Sequence, residues 1–179
     1  IDLKFAFLGP LVGALVRPLG GWLADKLGGA KVTLWNFVLM IAMVFGVLHF
    51  LPQGGQGGSF YGFLGMFMLL FVTTGVGNGS TFRMIPVIFR TLHEKAALGK
   101  KPEVREQALK NAGKESAAVL GFSSAMGAFG AFFIPKSFGT SMALTGGPEM
   151  AFYMFVGFYL SCIVVTWWWY ARKGAATPC

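Results

Sequence analysis

The chain has 179 residues, of which 55% are hydrophobic and only 12% are charged, and its mean hydropathy is +0.63. About a quarter of the residues of a soluble domain are charged, so this composition excludes an ordinary soluble globular protein. The formal net charge of +8 does not indicate a nucleic-acid-binding surface, because the basic residues cluster between long apolar runs.

Five apolar segments are each long enough to cross a bilayer as a helix, for which about 20 residues are needed. The sequence predicts spans at residues 5–24, 32–51, 60–82, 117–135 and 151–170, and the third could continue beyond residue 82. We therefore expect an all-α, polytopic membrane protein. The chain starts without Met and is apolar almost at once, which we interpret as a start within a longer protein.

The connections between the predicted spans alternate in charge. Residues 25–31, residues 90–115 and the tail after the fifth span carry basic residues, whereas the connection at residues 52–59 is uncharged. The positive-inside rule places the basic connections and the C-terminus in the cytoplasm. Within the predicted cytoplasmic loop 90–115, the sequence indicates a short amphipathic helix from Pro102 to Lys114. It is either a solvated helix or a regulatory or lipid-binding one.

Arg17 lies past the middle of the first predicted span, at membrane depth. A charge there costs on the order of 2.5–3.5 kcal/mol, and none of the five apolar segments contains Asp or Glu. In one interpretation Arg17 bonds to backbone carbonyls or to a carboxylate outside this chain. In the favoured one it faces an aqueous cavity and binds an anion, because guanidinium offers a planar fork of donors.

The missing carboxylates also bear on the coupling of transport. Proton relays in membranes use Asp, Glu or His, and the one candidate, His49, lies near the outer end of its helix. This favours anion exchange over proton symport. No cofactor, metal cluster or catalytic constellation is indicated, so the chain is not predicted to be an enzyme.

Small residues are dense in the third and fourth spans. They favour close helix packing, or bending during gating with a serine touching substrate. Arg83, near the inner end of the third span, is interpreted as snorkelling, and the aromatic run at residues 167–170 as an interfacial anchor. The small residues are Gly75, Gly77 and Gly79 in the third span, and Gly121, Ser123, Ser124, Gly127 and Gly130 in the fourth.

The stretch GWLADKLGG, from Gly21 to Gly29, resembles the signature between neighbouring helices of major facilitator transporters. Asp25 and Lys26 match its charged pair, and Gly28 matches a glycine position. The second basic position of the signature is shifted, to Lys31.

Three further stretches resemble the nitrate/nitrite porter family of that superfamily. GPLVGALVRP, residues 9–18, resembles its eighth helix, and residues 77–82 with 87–90 fit its tenth. GFSSAMGAFGAFFIPK, residues 121–136, is similar to the second nitrate signature on the eleventh helix. The resemblance implies that the five spans are helices eight to twelve of a twelve-helix fold. It also implies that Arg17 is one of two arginines that hold nitrate, the other lying on a second helix outside this chain.

The resulting expectation is a C-terminal part of a bacterial inner-membrane transporter that exchanges nitrate and nitrite by alternating access. Proton-coupled nitrate symport, and facilitated transport of another small anion, remain alternatives. A non-transporting membrane sensor is the third. The expected partners are a small inorganic anion, the bilayer and the N-terminal helices of the same transporter, with no nucleic acid, and the complete protein is expected to be monomeric.

Overall fold

The computed structural model describes residues 7–52 and 57–175. Within them lie five α-helices, followed by a π-helical turn. The first predicted span begins at residue 5, which is outside the described part. The helices are α1 (Leu8–Leu27), α2 (Gly29–Phe50), α3 (Phe60–Ala96), α4 (Pro102–Thr145) and α5 (Glu149–Thr166), and the π turn covers Trp167–Ala171.

Four of these elements are long and apolar enough to cross a membrane, judged by length and composition: Gly29–Phe50, Phe60–Ala96, Pro102–Thr145 and Glu149–Ala171. The remaining helix, α1, has 20 residues but carries Arg17, Asp25 and Lys26, which lower its hydropathy. That α1 also spans the bilayer stays a prediction. The all-helical architecture expected from the sequence is confirmed for the described residues.

The predicted cytoplasmic connection at residues 90–115 is helical over most of its length. Helix α3 continues to Ala96 and α4 begins at Pro102, so only residues 97–101 lie between them. Charged residues mark where a helix leaves the membrane, but the helix itself continues, because Lys, Glu, Arg, Gln and Ala are good helix formers. The predicted amphipathic helix does begin at Pro102, but it does not end at Lys114, because the same helix, α4, continues to Thr145.

The two long helices form a hairpin that extends beyond the thickness of a bilayer. At 1.5 Å per residue, the 44 residues of α4 are about 66 Å long, against a hydrocarbon core of about 30 Å. His93 Nε2 lies 3.0 Å from Glu115 Oε2, which joins the last turn of α3 to a point more than three turns along α4. We call this end of the bundle the inner end, since the charge pattern predicts that it is cytoplasmic. On α4, Lys110 Nζ lies 2.8 Å from Glu106 Oε1, one helical turn away.

Packing is uneven among the helices. Helix α1 packs mainly on α3, and α2 packs on both α3 and α5. The apolar core at the outer end is built around Val44, Val47 and Phe152, which are at most 5% exposed. Helix α4 meets α3 at the inner end and α5 at the outer end, where Ser141 donates a 2.6 Å hydrogen bond to the Gly147 carbonyl. Its most apolar stretch has no buried residue within the described chain.

Candidate anion-binding site

Arg17 lies on an exposed side of α1, where its side chain makes no hydrogen bond or ion pair with the described residues. The nearest carboxylate along α1 is Asp25, eight residues or about 12 Å further along the helix axis. Asp25 is itself occupied by Arg83. Within residues 7–52 and 57–175, the structure therefore leaves the guanidinium of Arg17 available to a bound anion.

The backbone at Arg17 is held against α3. A side chain built on Gly79 would collide with the Arg17 carbonyl group, with 3.0 Å between the new Cβ and the carbonyl carbon. Pro18 follows at once and donates no backbone hydrogen bond, so it frees the carbonyl of Ala14, one turn earlier. The glycines of α3 thus fix where α1 presents Arg17, while the side chain itself points away from the packed face.

The three α3 glycines singled out from the sequence all lie at close helix contacts. A Cβ on Gly75 would come within 3.2 Å of the Gly13 backbone on α1. A Cβ on Gly77 would collide with the amide of Asn36 on α2. At Gly75, where the neighbouring atoms are backbone, only a residue without a side chain permits this separation.

The α4 residues behave differently. A Cβ on Gly121, Gly127 or Gly130 would meet nothing within 4 Å in the described chain. Ser124 is exposed and donates a 2.7 Å hydrogen bond to the Leu120 carbonyl in its own helix. Ser123 lines a cavity of about 560 Å³ between α2, α3, α4 and α5, and Arg17 is not among the residues lining it. The structure does not bring either serine together with Arg17.

The stretch that resembles the major facilitator signature forms the turn between α1 and α2. Gly28 ends α1 and precedes α2 with a φ of 89°, a conformation that favours glycine. Gly21 packs beside Gly79, and the Lys26 ammonium lies 4.1 Å from the centre of the Trp22 ring. Asp25 Oδ1 accepts a 2.6 Å hydrogen bond from Arg83 Nε.

The ion pair between Asp25 and Arg83 was missed by the sequence analysis, which interpreted Arg83 as snorkelling to the interface. Both side chains are about half exposed, at 55% for Arg83 and 47% for Asp25. The signal was present, because two opposite charges occur at helix ends predicted to lie on the same side of the membrane. The pair links the α1–α2 turn to α3 and gives Arg83 a structural partner.

A buried polar contact between α2 and α3 was also missed. The hydroxyls of Thr33 and Ser80 are 2.9 Å apart, and Ser80 Oγ donates to the Gly29 carbonyl at 3.1 Å. Ser80 is fully buried and Thr33 is 5% exposed. Both hydroxyls have hydrogen-bond partners within the fold, so they stabilise the packing of α2 on α3 and are not available to a ligand.

Comparison with known proteins follows this geometry. No family model matches the chain. The nitrate/nitrite transporter NarU of Salmonella typhimurium is 51% identical over 96% of the chain, and NarU of Escherichia coli is 48% identical over 96%. A probable nitrate/nitrite antiporter, NarK2 of Thermus thermophilus, is 32% identical over 99%.

The chain spans little more than a third of the length of these relatives, 37% for each NarU and 35% for NarK2. The similarity nevertheless covers almost every described residue, including α1 with Arg17 and all of α4. Over almost its whole length the chain is therefore similar to nitrate/nitrite transporters, as a part of such a transporter would be.

Proposed function

We propose that this chain forms helices eight to twelve of a twelve-helix transporter that moves nitrate and nitrite across the bacterial inner membrane. The observation that carries the proposal is the identity of 51% over 96% of the chain to a nitrate/nitrite transporter. Arg17 supplies positive charge to the anion at the middle of the membrane. The C-terminus is cytoplasmic, as the distribution of basic residues predicts.

The placement of Arg17 supports its role as a ligand. Its side chain is exposed on α1, it has no carboxylate partner in the described chain, and its backbone is held by close contact with Gly79. A planar oxyanion such as nitrate matches two parallel N–H donors of guanidinium. The substrate anion then supplies the negative charge that balances Arg17 inside the membrane. Groups in the remaining part of the transporter also bind this anion.

Alternating access is the mechanism that suits this architecture. In such transporters the two halves rock around a site near the midplane. The exposed apolar stretch of α4, with Gly121, Gly127 and Gly130, would face the other helices, and the glycines would allow α4 to bend as the site closes. Either Ser123 or Ser124 would have to turn toward the substrate for a direct contact. The complete protein is proposed to work as a monomer.

The ligand role is tested in the full-length protein that contains this chain, reconstituted in proteoliposomes. Arg17→Lys keeps the charge but loses the planar fork, so we expect a fall in nitrate affinity of roughly tenfold or more, since a hydrogen bond to a charged group contributes ~1.5–3 kcal/mol. The control is Arg105→Lys on the exposed hairpin. Unchanged nitrate affinity and transport in Arg17→Lys would refute the ligand role.

Exchange is preferred over proton symport because no Asp or Glu lies in the five apolar segments. Liposomes loaded with nitrite test this preference, since exchange predicts nitrate uptake that requires internal nitrite and does not need a pH gradient. Uptake that follows an imposed pH gradient into empty vesicles would establish symport instead. Competition by a panel of other small anions tests the substrate class, and a complete absence of flux would favour a sensor.

A further inference from the structure

The cavity that Ser123 lines forms a crevice at the inner half of the bundle, and its longest wall is one face of α5. The α5 residues follow a helical period of three and four: Phe158, Ser161, Cys162, Val165, Thr166 and, in the π turn, Tyr170. From Phe158 to Tyr170 this wall runs about 18 Å. One leaflet supplies half of a hydrocarbon core of about 30 Å, so the crevice is about as long as one leaflet is deep.

The crevice is open on the outside of the bundle and presents mostly apolar atoms. Phe158 is 62% exposed and Val165 is 51% exposed, so the α5 wall is not covered by the described residues. Several hydroxyls in the wall are already used: Ser161 donates to the Phe158 carbonyl at 2.6 Å, and Thr81 donates to the Gly77 carbonyl at 2.9 Å. Apolar side chains such as Ile85 and Ile88 of α3 form the opposite side. This lining suits a hydrocarbon chain better than a polar solute.

Positive charge follows the inner end of this wall in the chain, two residues after Tyr170. Arg172 and Lys173 follow the π turn directly, and the Arg172 guanidinium stacks 4.4 Å from the centre of the Trp168 ring. Arg172 Nε is buried and has no hydrogen-bond partner among the described residues. Among the described residues no Asp or Glu lines the crevice, and the one carboxylate of α5, Glu149, is at the opposite end of the helix.

We propose that this crevice binds an anionic phospholipid, with one acyl chain along α5 and the phosphate against Arg172 and Lys173. The three observations are independent: a groove of leaflet length, walls that are mostly apolar, and a basic pair that follows Tyr170 at its inner end. Basic groups between helices on the cytoplasmic side favour anionic headgroups. The site is distinct from Arg17, and its occupancy does not depend on nitrate transport.

The headgroup contact is tested by native mass spectrometry of the full-length protein in detergent, titrated with phosphatidylglycerol or phosphatidylcholine. The double variant Arg172→Gln/Lys173→Gln should bind phosphatidylglycerol about 30-fold more weakly, since each basic residue near a membrane surface contributes ~1 kcal/mol. Phosphatidylcholine binding should not change. The matched control, Lys100→Gln/Lys101→Gln, removes the same charge from the hairpin tip and should leave both affinities unchanged.

The acyl contact is tested by a second variant, Ser161→Phe, which fills the crevice without changing charge. It should weaken binding of long-chain phosphatidylglycerol and leave binding of a dihexanoyl analogue unchanged. If the basic pair and Ser161→Phe both leave phosphatidylglycerol binding at the wild-type level, the proposal is overturned, and another helix of the complete protein or of a second copy occupies the crevice. Equal losses in the hairpin control would also overturn it, because attraction would then depend only on net charge.

Discussion

Adding a methyl group at Gly20 or Gly79 should separate α1 from α3. A Cβ on Gly20 would lie 2.8 Å from the Val76 Cα, and a Cβ on Gly79 would lie 3.1 Å from the Gly21 nitrogen. Nonbonded carbon atoms pack best at about 3.5–4.0 Å, so the helices must move apart by roughly 0.5–1 Å. Overpacking of this kind costs ~1–3 kcal/mol, of which the better helix propensity of Ala returns at most ~1 kcal/mol.

Gly65 provides the matched control on α3. A Cβ there meets nothing within 4 Å, so Gly65→Ala should gain helix propensity without a steric cost. The measurement is the apparent Tm of the full-length protein in detergent, followed by size-exclusion chromatography after heating. We expect Gly20→Ala and Gly79→Ala to lower Tm by a few degrees, and Gly65→Ala to leave it unchanged or raise it.

Gly79→Ala should also affect the anion site, because the new methyl group would collide with the backbone of Arg17. Nitrate affinity should therefore fall in this variant and remain at the wild-type value in Gly65→Ala. If Gly20→Ala and Gly79→Ala have the same Tm as Gly65→Ala, the close approach of α1 and α3 does not exist in the complete protein. The account of how Arg17 is positioned would then be refuted.

Three further experiments test other parts of the structure by thermal unfolding. A double-mutant cycle of Asp25→Asn and Arg83→Gln should show a favourable coupling at low salt that shrinks as ionic strength rises, because both side chains are half exposed; zero coupling at low salt would contradict the ion pair. Ser141→Ala should cost ~1 kcal/mol, since it removes the hydrogen bonds that the buried Ser141 hydroxyl makes with the Gly147 carbonyl and the Ala151 N–H, and an unchanged Tm would argue against those contacts. Gly28→Ala should cost about 1–3 kcal/mol because of its φ of 89°; a tolerated alanine would mean that the α1–α2 turn adopts another conformation.

Much of the fold was predictable because membrane helices are specified locally. An apolar run of about 20 residues must form a helix to satisfy its backbone in lipid, whatever it packs against. The third predicted span and α3 both begin at residue 60, and the predicted amphipathic helix and α4 both begin at Pro102, which suits a first helical turn. Helices α3 and α4 extend beyond the predicted spans because hydropathy reports where a chain leaves the membrane, whereas the helices continue through polar residues.

The candidate site was predictable only as a list of residue types. Arg17 was identified from the free-energy cost of placing a charge in the membrane. This cost follows from its position within an apolar segment, without knowledge of the residues around it. The pairing of Asp25 with Arg83, 58 positions away, required the packing of α1 on α3. A neighbouring helix approaches Gly79, whereas no described residue of another helix approaches Gly121. The spacing of the glycines could not predict this difference, because both lie in similar glycine-rich helices.

The sequence by itself predicted a set of membrane-crossing helices with one arginine at membrane depth, since both predictions follow from the transfer of side chains between water and lipid. The tertiary structure decided which helix faces meet, and so which charge is paired and which remains free. Arg83 has a carboxylate beside it, and Arg17 has none among the described residues. The physical reason is that helix packing depends on shape at contacts of a few ångströms between distant parts of the chain, which a pattern along the sequence does not contain.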